Sequence, residues 1–393
     1  MLNSANRYAV CKNHVEELFY NYGNYPPPST CAFSSDRNAC THRKPRIFYL
    51  DLIRAIAVIF VVIAHFQDPY LFGKHIFPLV PFGIYIGGLG VSLFLIISGA
   101  SLMYTYEDDQ TLSLKTFYYR RAKALYPSFW LAFIIAYVWL RLHNVCSFDF
   151  SAHPERLLLS IIGMDGYCSL WGVQTFYILG EWFLGLIILF YLVFPIMRIG
   201  VKKHPACTTL VIMLLYIGTN VTFSLFPHPT TAVADLVLTA RLPELLFGML
   251  FIRYIKTVPK WVIALSITYL ITQQVVQPLK DSWAVTLVGI TMYFLLVALA
   301  QCVARIKPAE ATLCFLSRIS YEIFLVHHVI IQQVFSYINP SSLNRFSAVI
   351  LFFIVFCSIL AASKLLQSLS KLCQKTVHYI LIERCQKKGH NNI

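Results

Sequence analysis

Apolar runs of about 16 to 22 residues, separated by short polar stretches, recur along most of the chain, and runs of this length suit helices crossing a hydrocarbon layer. They fall near 47–66, 83–105, 124–142, 181–197, 208–225, 236–252, 261–276, 284–303, 319–338 and 346–366. This pattern predicts an all-α polytopic membrane protein of about ten transmembrane helices. Leu157–Leu179 is moderately apolar but broken by Gly163, Asp165, Gly166 and Gly172. It reads as a surface or re-entrant segment, because irregular backbone is tolerated at membrane depth only where protein or a wet cavity surrounds it.

The loops alternate in charge. Arg43, Lys44 and Arg46 precede the first run, and Lys115, Arg120, Arg121 and Lys123 follow the second. Arg198, Lys202 and Lys203 follow the fourth, and Arg253, Lys256 and Lys260 the sixth; the series continues with Arg305, Lys307 and Arg318 and a tail from Lys364. The intervening loops carry few basic residues, among them Lys74, Arg156, Lys280 and Arg345. The positive-inside rule then puts both termini in the cytoplasm, and assigns 1–46 to a poorly ordered arm, 47–366 to the membrane domain and 367–393 to a basic tail. The alternation also keeps Leu157–Leu179 on the outer side, since a further span there would send Arg198, Lys202 and Lys203 outside.

Composition agrees: 58% of the 393 residues are hydrophobic and 13% charged, with a mean hydropathy of +0.64, against roughly 25% charge in soluble domains. The net charge of +14 is spread over loops with no aromatic-interleaved basic domain, so nucleic acid is not an expected partner. Of the eleven cysteines, Cys11, Cys31 and Cys40 lack zinc-ligand spacing, and no metal is expected. Cys146 and Cys168, both in the long outer segment, are the plausible disulfide partners.

The first run, IFYLDLIRAIAVIFVVIAHF, contains Asp51, Arg54 and His65. Ionisable groups at bilayer depth cost roughly 2.5 to 3.5 kcal/mol each on insertion scales, which makes three in one span a functional hypothesis by default. Arg54 and His65 are eleven residues apart, about three turns plus 20°, hence on one stripe about 16 Å apart. Asp51 lies within about 40° of it. The plainer reading is an Asp–Arg pair that eases insertion and a His facing headgroups.

Other polar groups are individually ambiguous. Ser98 and Gly99 end the second run after Gly83, Gly87, Gly88 and Gly90; small residues there allow close helix packing and also a thin ligand chain. FYYRRAKALYP offers Arg120, Arg121 and Lys123 as topology signals or phosphate ligands. Glu181, which opens the fourth run, is expected at the level of His65. Arg241 and Glu244 flank Pro243 and suit a self-neutralised pair. Of the adjacent His327 and His328, at most one is expected to face the site of His65.

The segments YLDLIRAIAVIFVVIAH, GVSLFLIISG, RRAKALYP, WFLGLIILFYLVFP, RLPELLFGM and RISYEIFLVHH, in this order over about residues 47–331, together resemble the integral-membrane acyltransferase-3 family. The resemblance implies about ten spans and transfer of an acyl group, commonly acetyl, from cytoplasmic acyl-CoA to a hydroxyl of a cell-surface glycan or lipid-linked precursor. It implies a bacterial inner or plasma membrane, with bilayer, acyl-CoA and sugar as partners. His65 matches the family's essential histidine and Arg54 its arginine; Asp51 and Glu181 are candidate supporting acids, and Arg120, Arg121, Lys123 and Ser98 candidate donor contacts. Two positions depart from the pattern: Ala124 stands where a second arginine is usual, and Ile187 where a glutamate often stands. In this reading the donor arm runs up the glycine-lined cavity toward His65, which acts as general base or accepts the acyl group itself. A proton-coupled transporter is the competing class, since buried Asp, Arg, Glu and His also suit a carrier.

Overall fold

The computed structural model describes residues 44–68, 70–71, 73, 75–143, 152–176, 178–226 and 233–390, excepting the side chains of 378–390. The chain divides into Arg46–Leu366 and a unit of the two ends, Met1–Pro45 with Gln367–Ile393; the first is described below. Cys146 and most of the first 46 residues lie outside the described residues, so the disulfide and the N-terminal arm stay expectations.

The described elements are helical: α1 (Phe48–Gln67), α2 (Ile86–Tyr106), α3 (Leu114–Leu142), α4 (Leu157–Ile162), α5 (Asp165–Ser169), α6 (Trp182–Lys203), α7 (Pro205–Leu225), α8 (Leu238–Tyr254), α9 (Lys260–Val275), α10 (Asp281–Val303), α11 (Lys307–Tyr337) and α12 (Arg345–His390), with short 3₁₀ turns between some of them. The chain is an all-α polytopic membrane protein. Each of the ten apolar runs lies on one of the ten long helices. Eight of these are long and apolar enough to cross a membrane, while α8, with 17 residues, and α9, with 16, are shorter. At about 1.5 Å per residue, α9 reaches about 24 Å, less than the ~30 Å hydrocarbon layer. Several helices also outrun their apolar stretch: α3 starts at Leu114 and α11 at Lys307, because helical hydrogen bonds continue into polar sequence once water replaces lipid.

Leu157–Leu179 does not form a span. It gives two helices of six and five residues, the first stopped by Gly163 at φ +75°, a left-handed conformation that glycine adopts without a Cβ clash.

Helix α2 is the hub, packed against α1, α8 and α10. Its crossing with α8 runs through glycines: a Cβ on Gly99 would lie 2.0 Å from the Leu245 carbonyl oxygen, and one on Gly248 1.9 Å from that of Ile96. Close packing is thus what Gly99 does here. At the periphery, α7 presents Leu210, Val211, Leu214 and Leu215 outward, a face suited to lipid.

The basic loops converge at one end. Arg198 donates to the carbonyls of Tyr106, at 2.8 Å, and Asp109; Lys202 donates to that of Glu107 at 2.8 Å. Arg253 pairs with the Glu107 carboxylate at 2.7 Å. The ends of α2, α6 and α8 therefore share one side, as the charge alternation requires, and Arg198 and Lys202 satisfy carbonyls at and just beyond the end of α2.

Candidate functional site

The stripe on α1 faces protein, yet its charged groups serve two different places. Asp51 is buried, accepting from the Arg46 guanidinium and, at 2.7 Å, from the Ser317 hydroxyl of α11. Arg54 donates to Ser317 and to Ser101 of α2, each at 3.3 Å, with Asp51 3.7 Å away. Asp51 thus fixes Arg54 and the start of α1 and lines neither cavity described below. It does not share a pocket with His65, a departure from the single three-residue face that helical spacing implies.

Arg54 opens onto an inner cavity of about 300 Å³ with Ser98, Ser101, Thr105, Arg121, Tyr191 and Ser320 among its walls. Arg121 donates to the Tyr106 hydroxyl at 3.3 Å, and its guanidinium lies 5.7 Å from the Tyr191 ring centre and 5.9 Å from that of Phe117. Arg120 and Lys123 are not in the lining, so of the three loop cations the cavity takes Arg121 alone. Ser98 does line it, with its hydroxyl donating to the Phe94 carbonyl at 2.7 Å. Ala124 and Ile187, the two departures from the family pattern, line this same cavity, which therefore carries neither the usual second arginine nor the usual glutamate.

His65 opens onto a second, outer cavity of about 470 Å³, whose walls include Tyr85, Trp182, Asp235, Arg241 and Asp281. The glycines Gly83, Gly87, Gly88 and Gly180 line this cavity together with His65, and none of them lines the inner cavity of Arg54 and Arg121. The ring of His65 lies 5.1 Å from that of His327 and 5.4 Å from that of His328. Both histidines of α11 flank it, because His65 sits in the angle between two side chains about 100° apart; the expectation that at most one faces it does not hold. The His327 Nδ1 lies 2.8 Å from the Phe324 carbonyl oxygen and 3.1 Å from that of Ile323. Carbonyls only accept, so Nδ1 carries the proton, and a neutral His327 keeps a bare, buried and unpartnered Nε2. Among the described residues no group of three or more His, Cys, Asp or Glu is placed to hold a metal ion.

Glu181 is fully buried just before α6 and accepts from the Leu179 amide at 2.8 Å. Its neighbours Gly180 and Trp182 line the outer cavity and it does not; its bond to the Leu179 amide braces that turn. Arg241 and Glu244 form the pair that their spacing suggests, at 2.9 Å with 1% and 0% of the side chains exposed; Ser92 and Thr286 also donate to Glu244. Arg241 has a second role, since it lines the cavity. Asp235, in the turn before α8, joins it there; burial raises its carboxyl above the ordinary carboxylate range and Arg241 pulls it back. Asp235 escaped the sequence reading because a lone loop acid carries no periodic signal. Glu322 accepts from Ser128 at 3.2 Å and fastens α3 to α11.

The family model of the acyltransferase-3 group, described as an acyltransferase domain, matches residues 47–367, the stretch that holds both cavities. No curated protein and no solved structure matches the chain.

Proposed function

From the premise that this chain belongs to the membrane acyltransferase-3 family, we propose that it transfers an acyl group, acetyl above all, from acyl-CoA to a hydroxyl of a cell-surface glycan or lipid-linked precursor. The observation that carries this reading is the division of labour between two cavities: Arg54 and Arg121 in one, His65 in the other. Guanidinium groups suit the phosphates of a donor, which they grip by paired charge-assisted hydrogen bonds. The outer cavity offers what a sugar needs, flat apolar rings from Trp182 and Tyr85 beside the acceptors of Asp235 and Asp281 and the donors of Arg241. The basic end that holds Arg121 faces the cytoplasm in this reading, and the membrane is a plasma membrane, bacterial and inner.

A thioester is already activated, so the protein's task is to deprotonate the attacking hydroxyl and to stabilise the oxyanion. Neutral His65 takes the hydroxyl proton; the alkoxide oxygen attacks the thioester carbon, the C–S bond breaks, and the proton passes on to the departing thiolate. The His327 ring lies 5.1 Å from that of His65, and its bare Nε2 would suit an acceptor for the N–H of His65 once the rings turn toward each other, which would leave the other nitrogen of His65 free to act as base. Capture of the acyl group by His65 is the variant route, with the same bonds broken in two steps.

Binding of coenzyme A to the purified protein in detergent tests the donor half. The wild type is expected to bind. Arg121→Ala removes a charge-assisted contact of about 1.5 to 3 kcal/mol and should weaken binding about tenfold or more, and Arg54→Lys should weaken it too, since an ammonium keeps the charge but loses the fork. A wild type with no affinity for coenzyme A, or an Arg121→Ala variant that binds it unchanged, would contradict the donor assignment; a carrier for another solute gives the first result.

A further inference from the structure

The two cavities meet at three aromatic side chains. Phe94 of α2, Phe183 of α6 and Phe324 of α11 line both the inner and the outer cavity. The Phe94 and Phe183 ring centres are 5.9 Å apart, and those of Phe183 and Phe324 5.6 Å. On each helix the phenylalanine marks the level at which the lining changes hands. On α2, Val91 faces the outer cavity and Ser98 and Ser101 the inner; around the start of α6, Trp182 faces the outer and Leu184 and Ile187 the inner. On α11, Ser320 and Tyr321 line the inner cavity, and beyond Phe324 come the histidines that flank His65. Arg54 and His65, about 16 Å apart along α1, lie on opposite sides of this level.

We infer that Phe94, Phe183 and Phe324 form an apolar collar through which the acyl end of the donor passes to reach His65, and that this collar selects acyl groups by girth. The inference rests on the donor reading above. The three rings are the residues that line both cavities, so a group passing from one to the other must turn them aside. An acetyl thioester is about as wide as the amide units of the arm that carries it and asks for little extra opening, whereas a branched or aromatic acyl group asks for more. The ring edges offer no hydrogen-bond partner to a phosphate, and desolvating one there would be costly, so the charged part of the donor stays with Arg54 and Arg121. The same rings keep water from joining the two cavities.

The test compares acetyl-, isobutyryl- and benzoyl-CoA as donors to the full-length protein in proteoliposomes, with water as the acceptor in the outer cavity and release of free coenzyme A thiol as the readout. His65→Ala defines the background. The wild type should favour acetyl over benzoyl thioester by tenfold or more in kcat/KM. Phe183→Ala should erase most of that preference and raise hydrolysis of acetyl-CoA. Phe94→Leu and Phe324→Leu, which keep more of the packing, should move the preference the same way by a smaller factor. A girth preference that no folded variant shifts would overturn the collar while leaving the acyltransferase reading in place. Absence of His65-dependent release with every thioester would instead sink the acyltransferase reading, and the collar with it.

Discussion

Replacing His65 with alanine should reduce acyl transfer by at least 10²- to 10⁴-fold, the range typical for loss of a positioned general base, while coenzyme A affinity and the folded yield stay near those of the wild type. The expectation follows from where the ring sits. His65 opens onto the outer cavity, so its removal enlarges an existing space more than it hollows a packed core. The phosphate-binding candidates Arg54 and Arg121 line the other cavity and keep their partners. Steady-state transfer, paired with coenzyme A titration on the same preparation, checks both halves. Near-normal turnover in His65→Ala would remove the base from the mechanism. A parallel loss of coenzyme A affinity would mean that the two cavities are not the separate sites described here.

Glu244→Ala should be strongly destabilising to the membrane domain. Arg241 and Glu244 are buried together, and deleting one partner of a buried pair costs about 3 to 5 kcal/mol because the other charge is left uncompensated. Against total stabilities of about 5 to 15 kcal/mol for a folded domain, that is enough to lower the yield and the melting temperature visibly. The hydroxyls of Ser92 and Thr286, which donate to Glu244, lose their acceptor as well. The double variant Arg241→Met/Glu244→Leu should regain most of the stability, since apolar replacements of similar volume are often neutral or better. Because Arg241 also lines the outer cavity, the double variant should still show a raised KM for the acceptor. Thermal scans of the three proteins in detergent check the stability part; a Glu244→Ala protein that melts with the wild type would contradict it.

The spans were legible in the sequence because a bilayer forces every backbone hydrogen bond inside a segment of fixed minimum length, and that demand is written as uninterrupted apolar runs. Leu157–Leu179 is kept out of the membrane by loop charge and by its glycines, both of which act locally. The spacing of Arg54 and His65 was legible for a similar reason: helix geometry converts residue number into angle and height without tertiary information. What that geometry cannot carry is the identity of the neighbour. Asp51 falls near the same stripe as His65, yet Arg46 and Ser317 claim it, and Ser317 is 266 residues away. Glu181 is expected at the level of His65, and its carboxylate turns back to accept from the Leu179 amide. The collar was invisible for the same reason. Phe94, Phe183 and Phe324 lie on three helices far apart in the chain, and single phenylalanines in apolar runs carry no signal above the ordinary core.

A donor held at the Arg54–Arg121 end should deliver its acyl group to an acceptor at the His65 end. This delivery is tested most directly in sealed vesicles of known orientation, with acetyl-CoA labelled in the acetyl group supplied to one face and envelope glycan confined to the other. Label is expected on the glycan only when the donor is on the face that carries Arg121 and the acceptor on the face that carries Asp235, with no transfer in His65→Ala. Equal labelling when donor and acceptor are both on the Asp235 face would contradict it.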